Sequence, residues 1–240
     1  MPSLEFVAET GSTNADLVAR IAAGEPPPED HWLVADRQSA GRGRQGRTWL
    51  DAPGNFAGST IILLTPHDPP AATLSFVAAL AVYETVVARL AEPRRLQLKW
   101  PNDLLLDGGK LCGILLEREK DWAVIGIGVN LVAVPVETGR PARSLSEYGP
   151  APDRNAFARM LAENFATEVT RWRQYGLDPI FARWLAAAHP QGAALRVHGD
   201  RGEVIEGRFD GLQPDGALRL RLADGSSRVI HAGDVLLGAA

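Results

Sequence analysis

Residues Gly41–Trp49 read G-R-G-R-Q-G-R-T-W, setting Arg42, Arg44 and Arg47 between Gly41, Gly43 and Gly46. A guanidinium keeps its charge and offers a planar fork of donors matched to phosphate or carboxylate. Glycine lets the backbone approach a ligand closely. Together they describe a loop that wraps an anion, in a chain whose net charge is −4. Three readings compete. Gly41-x-Gly43-x-x-Gly46 matches a dinucleotide fingerprint, with Trp32–Asp36 as the strand before it. That fingerprint also needs a helix opening at the glycines and an acidic residue roughly 20 positions later. Here Asp51-Ala52-Pro53-Gly54-Asn55 follows, and Ile61–Leu64 is apolar. A nucleic-acid patch would want a second basic cluster and more aromatic residues. A solvated surface loop is the plainest alternative.

Three further segments carry polar groups in places suited to a site. Ser12-Thr13-Asn14 stands at a helix start, where side chains and free N–H groups can hold a polar head; plain N-capping is the simpler reading. In Lys99-Trp100-Pro101-Asn102-Asp103, a strand ends at a proline turn that displays Asn102 and Asp103, and Lys110-Leu111-Cys112-Gly113-Ile114-Leu115 follows as the next strand. The simpler readings are an Asx turn at Asp103, an edge-strand lysine at Lys110 and a bulge at Gly113. Gly126-Ile127-Gly128-Val129-Asn130 is a strand ending in a polar residue, with a turn as the simpler role for Asn130. Cys112 reads as a small buried hydrophobe.

The elements that must position these groups follow from patterning. Strands are expected at Glu5–Glu9, Trp32–Asp36, Gly58–Leu64, Leu96–Trp100, Leu104–Leu106, Lys110–Glu117 and Trp122–Leu131, with a hairpin at Asp107-Gly108-Gly109. Helices are expected from Ser12 to Ala23, over Ala72–Ala91, Arg154–Arg173 and Asp178–Ala188, with Val132–Pro152 irregular. Past His189-Pro190 five short alternating strands recur between Gly and Asp turns, the pattern of a small SH3-like barrel. The fold class is α+β, with strands of a mixed or antiparallel sheet clustered by hairpins and helices packed on it. Residues 1–190 and 191–240 are the expected domains.

The 240 residues, 45% of them hydrophobic and 22% charged, are enough for a sizeable core. The acidic balance argues against a general nucleic-acid binder. One cysteine excludes an internal disulfide and favours a reducing compartment. No apolar run is long enough to span a membrane, and the first residues lack a signal-peptide pattern, so a cytoplasmic protein is expected. The five histidines show no metal-ligand spacing.

Read in order, S-T-N, G-R-G-R-Q-G-R-T-W, K-W-P-N-D, K-L-C-G-I-L-L-E and G-I-G-V-N followed by a small barrel closely resemble the biotin protein ligases. Gln45 stands where that family often has Arg, and Cys112 where Ala is common. The resemblance implies a class II synthetase-like catalytic fold that uses ATP, with Mg2+ bound mainly through the phosphates, to make biotinyl-5'-AMP. The biotin then passes to a lysine of a biotin carboxyl carrier protein of biotin-dependent carboxylases. It places Ser12, Thr13, Asn14, Gln38, Gly41 and Gly113 around biotin, and Arg42, Gly43 and Arg44 along the carboxylate and phosphate. It assigns Arg47 to the triphosphate, Trp49 and Asn130 to the adenine, and Asn102 to the phosphate or metal shell. Lys110 would steady the carboxylate and acyl-adenylate, and Asp103 would position the incoming amine or take its proton. No metal-ligating residue is assigned. The motifs begin by residue 12, so a single-function ligase without a DNA-binding domain is expected, with no DNA or membrane partner and a homodimer as one arrangement of the family. A lipoate or octanoate ligase or transferase of the same fold is the alternative.

Overall fold

Strand Phe56–Leu63 carries apolar or small residues at every buried position, the pattern of a central strand covered on both faces. The structure, a computed structural model, describes residues 2–134, 141–198 and 203–237. In chain order the strands are β1 (Ser3–Thr10), β2 (His31–Gln38), β3 (Phe56–Leu63), β4 (Leu96–Lys99), β5 (Asp103–Leu106), β6 (Gly109–Glu119) and β7 (Trp122–Val129). They form one sheet in the order β1-β2-β3-β7-β6-β5-β4. Only β1 and β2 run parallel, joined by helix α1 (Thr13–Ala22). The sheet is thus mixed, and the hairpin chain β4–β7 supplies its antiparallel half.

The two faces are treated differently. Helices α2 (Leu74–Val87) and α3 (Arg154–Tyr175) cover one face, with α4 (Asp178–Ala187) beside them. Trp32 meets Phe165 edge-on at 5.5 Å between ring centroids, and Phe56 meets Phe157 at 5.4 Å. The other face is covered by a helix at one end, where Leu17 and Ile21 of α1 pack on Leu33, Ile61 and Val124. α1 starts at Ser12, whose hydroxyl accepts from the Ala15 N–H, and it ends before Gly24 at φ 84°. α2 is shorter than the Ala/Val/Leu run implied. The Thr73 hydroxyl donates to Pro70 O and accepts from Trp172 Nε1 and makes no capping bond to the helix, and Ala71–Thr73 forms a 3-10 turn before it.

Beyond Pro190 lie β8 (Ala194–His198), β9 (Val204–Leu212), β10 (Leu218–Arg221), β11 (Ser227–Ile230) and β12 (Asp234–Leu237). They form a second sheet ordered β11-β10-β9-β8-β12, antiparallel throughout. Residues 199–202 and 238–240 of this expected barrel, and 135–140 of the expected irregular stretch, lie outside the described residues. The two sheets share packing. Trp100 Nε1 donates to Gly216 O at 3.0 Å, and the Phe76 ring sits against Phe181 and Trp184 where Gly216 leaves room. No helix among the described residues is long and apolar enough to cross a membrane.

His189 sits at the turn between α4 and the second sheet, buried and with Nε2 lacking a hydrogen-bond partner. Burial, and then the charge of Lys99, push its pKa down to about 4. The unfolded chain therefore binds a proton that the folded chain refuses between about pH 6.5 and 4, and folding weakens as pH falls through that window. Each tenfold difference in proton affinity is worth about 1.4 kcal/mol, so the loss approaches about 3 kcal/mol. Urea midpoints at pH 7.5 and 5 are expected to differ less in His189→Gln than in the parent chain.

Candidate active site

The open part of the sheet is paved with residues that lack bulk. On that face Ser59 stands opposite Gly126, Gly128 opposite Gly113, and Gly113 opposite Asp103. Alternation along β7 puts Gly126 and Gly128 on this face while Ile125, Ile127 and Val129 enter the core beneath α2 and α3. A Cβ on Gly126 would stand 2.6 Å from Asn14 Oδ1, and one on Gly128 only 2.3 Å from the Trp49 ring. The result is a trough of about 520 Å³, bounded by the start of α1, the Arg/Gly loop and residues Asp234–Leu236 of β12.

One end of the trough is polar, with neutral groups around a single Arg–Glu pair. Gln38 Oε1 accepts from the Thr13 N–H at 2.9 Å and from its hydroxyl at 3.1 Å. The Thr13 and Ser59 hydroxyls are 2.7 Å apart, and Ser12 caps the helix beside them. Asn14 Nδ2 donates to Glu117, leaving its Oδ1 buried without a partner. Arg42 also reaches Glu117, at 3.1 Å. Arg42 therefore sits at this end, apart from Arg44.

The other end is cationic. The pairing of β5 with β6 runs from Leu104↔Cys112 to Leu105↔Lys110, skipping Leu111. This bulge sends both Leu111 and Cys112 into the core and returns Lys110 to the face of Gly113, which simple alternation would have denied it. Lys110 Nζ lies 2.6 Å from Asp103 Oδ1, and Lys99 Nζ lies 3.0 Å from Asp103 Oδ2. Burial opposes the charge on Asp103, but Lys110 and Lys99 outweigh it and hold the carboxyl below its ordinary range. Arg44 donates to Asn102 Oδ1 at 3.1 Å, and Asn102 Nδ2 donates to Ile114 O, fixing the turn after the cis Trp100–Pro101 bond. Burial pushes the Cys112 thiol far up, as befits an inert core residue.

The Arg/Gly loop is folded into a small hairpin. Trp49 N–H donates to Gly41 O, Gly43 N–H to Arg47 O, and Gln45 takes a left-handed turn at φ 56°. Gly41 does not line the trough; a Cβ there would strike Trp49 O at 2.5 Å, so its role is to close the hairpin. Gly43 lines the trough. The Trp49 indole lies on Gly113 and Gly128, with Lys110 Nζ 5.7 Å from its centroid. Arg47 turns away to Asp234 of β12 at 2.7 Å.

Asn130 is buried at the cationic end with its polar atoms engaged. Its Nδ2 donates to the carbonyls of Lys110 and Arg143, and its Oδ1 accepts from Asn55. Asn55, Glu117 and Asp234 bond to site residues without having been singled out. Alternating glycines in β7 were the available signal for the trough. Glu117, in contrast, is tied to Arg42 and Asn14 only through the folded sheet. The whole arrangement suits a ligand with a neutral hydrogen-bonding head and an anionic tail, and it can bring two anions together.

The chain matches the biotin/lipoate A/B protein ligase family over residues 12–130 and the biotin protein ligase C-terminal domain over residues 196–238. It is 40% identical to a biotin–[acetyl-CoA-carboxylase] ligase of Paracoccus denitrificans, covering 97% of this chain and 100% of the relative. It is 38% identical to the ligase of that name from Mycobacterium tuberculosis, covering 97% of this chain and 88% of the relative. The biotin protein ligase of Aquifex aeolicus in complex with biotin and ATP superposes with a TM-score of 0.86 at 26% identity, covering 100% of both chains.

Asn55 Oδ1 accepts from the N–H groups of Val132 and Ala133, and Nδ2 donates to Ala133 O. Asn55→Ala leaves these buried groups unmatched and is expected to cost about 2–4 kcal/mol, measured by urea unfolding.

Proposed function

The chain belongs to the biotin/lipoate A/B protein ligase family, and from that premise we infer that it is an ATP-dependent biotin–protein ligase. It activates biotin with ATP and joins it to a lysine of a carboxylase's carrier domain. The observation that carries this reading is the polarity of the trough. Biotin has a ureido head of two N–H donors and one carbonyl acceptor, and an arm ending in a carboxylate. The head fits among Ser12, Thr13, Gln38 and Ser59, and the unpartnered Asn14 Oδ1 is an acceptor in the same place. The carboxylate then lies toward Lys110 and Arg44.

In the first step a carboxylate oxygen attacks the ATP α-phosphorus. The bond to the β-phosphate oxygen breaks, and pyrophosphate leaves. Two anions must approach, so Lys110 and Arg44 lower their repulsion and hold the attacking oxygen in line. Arg47, anchored on Asp234, keeps the loop over the trough, and Trp49 walls the acyl-adenylate off from water. We assign Arg42 to the ureido end through Glu117, and Asn130 to holding the Lys110 strand through its backbone carbonyls. Mg2+ supplies charge neutralisation for the triphosphate. Mg2+ characteristically takes phosphate oxygens and water as ligands, so the triphosphate would hold most of its coordination.

In the second step the carrier amine attacks the acyl carbon. The C–N bond forms, the bond to the adenylate oxygen breaks, AMP leaves and the amine's proton passes to solvent. Asp103, held ionised between two lysines, orients the amine. Lys110 steadies the developing negative charge on the acyl oxygen.

ATP–pyrophosphate exchange with Mg2+ tests the reading, with biotin, lipoate and octanoate compared. Exchange with biotin alone is expected; exchange with lipoate or octanoate instead would keep the fold and overturn the substrate. The two loop arginines separate the ends of the trough. Arg44→Ala is expected to speed loss of bound adenylate by about tenfold or more with biotin affinity little changed. Arg42→Ala is expected to weaken biotin itself. Stopped-flow release and equilibrium binding distinguish these outcomes.

A further inference from the structure

Asp103 is shared by two ammonium groups that differ in what they can do. Lys110 lines the trough with 35% of its side chain exposed, and it is free to turn toward an anion there. Lys99 also lines the trough but is only 12% exposed, and it closes the β4–β5 turn directly opposite Asp103. When an anionic ligand enters, Lys110 has one charge for two acceptors. Its greater exposure favours the ligand. Were Lys99 absent, Asp103, 11% exposed at its side chain, would then be a buried carboxylate without a cation, which is strongly unfavourable unless it takes a proton.

We propose that Lys99 is a positioning residue that stays on Asp103 and keeps it charge-paired while Lys110 moves to the acyl phosphate. Lys99 touches no reacting atom. It acts through Asp103, which must face the incoming amine as a carboxylate. The proposal rests on the ligase reading and adds a division of labour between two lysines. The ionisable groups around Asp103 are Lys99 from β4, and Lys110 and the Cys112 thiol from β6. His189 faces Lys99 from the turn after α4, and its uncharged ring adds no competing cation. Arg44 donates to the neighbouring Asn102.

The test separates the two half-reactions. Pyrophosphate exchange with biotin reports the first, and single-turnover transfer from biotinyl-5'-AMP to a carrier-domain substrate between pH 5.5 and 9 reports the second. Lys99→Met is expected to slow transfer by about tenfold or more while exchange falls less than about threefold. The acid limb of the transfer profile is expected to move up into this range, because Asp103 loses its remaining cation while Lys110 is on the acyl phosphate. Lys99→Arg is expected to restore both rate and profile. Lys99→Gln keeps a donor without the charge and is expected to share the shifted profile; it stands in if the methionine variant unfolds. Equal losses in both steps with an unmoved profile would mean a structural role and would overturn the proposal. So would transfer at the parent rate in Lys99→Met. Absence of exchange with biotin in the parent chain would instead remove the ligase reading itself.

Discussion

The site depends on a sheet that is covered completely on one face and only partly on the other. α2 and α3 bury the aromatic and branched side chains of β2, β3, β6 and β7, and this face supplies the burial that holds the molecule together. On the opposite face α1 stops short. Beyond it Gly113, Gly126 and Gly128 remove the side chains that would otherwise fill the space. Glycine in a central strand sacrifices packing and conformational entropy. The loss is tolerable because the hydrophobic load is carried from behind, and it leaves a rigid floor of hydrogen-bonded strands instead of a mobile loop.

That floor also sorts charge. Uncharged donors and acceptors gather where α1 begins, since the helix start supplies Ser12, Thr13 and Asn14 together. Cations gather where β4, β5 and β6 meet, because a proline turn and a bulge bring Lys99, Asp103 and Lys110 to the same edge of the trough. Separation of the two ends is what lets one cavity orient an elongated amphiphilic acid.

Much of this was legible in the residues. Strand alternation, the Ser12 cap, the glycine hairpin at Asp107–Gly108 and the five short strands past Pro190 follow local rules, and they reappear within a few residues of the expected bounds. The motifs, in order, placed Lys110, Asp103, Arg44 and Thr13 around a common space. Features set by long-range geometry were not legible. Alternation from Gly113 would bury Lys110, and only the skipped Leu111 reverses it. Arg42 and Arg44 are two residues apart yet serve opposite ends, because Glu117 and Asn102 reach them from different strands. Asn55 reads as a turn residue beside Gly54, while its bonds run to residues 130–133.

The ion pair between Arg47 and Asp234 spans 187 positions of chain. During synthesis the catalytic strands leave the ribosome well before β12 does. Until β12 pairs with β8, the Arg/Gly loop has no anchor on the second sheet. A nascent chain therefore holds a complete floor and an untethered roof. The tether on that loop thus forms only once β12 is in place, which links the geometry of the trough's rim to a strand far along the chain.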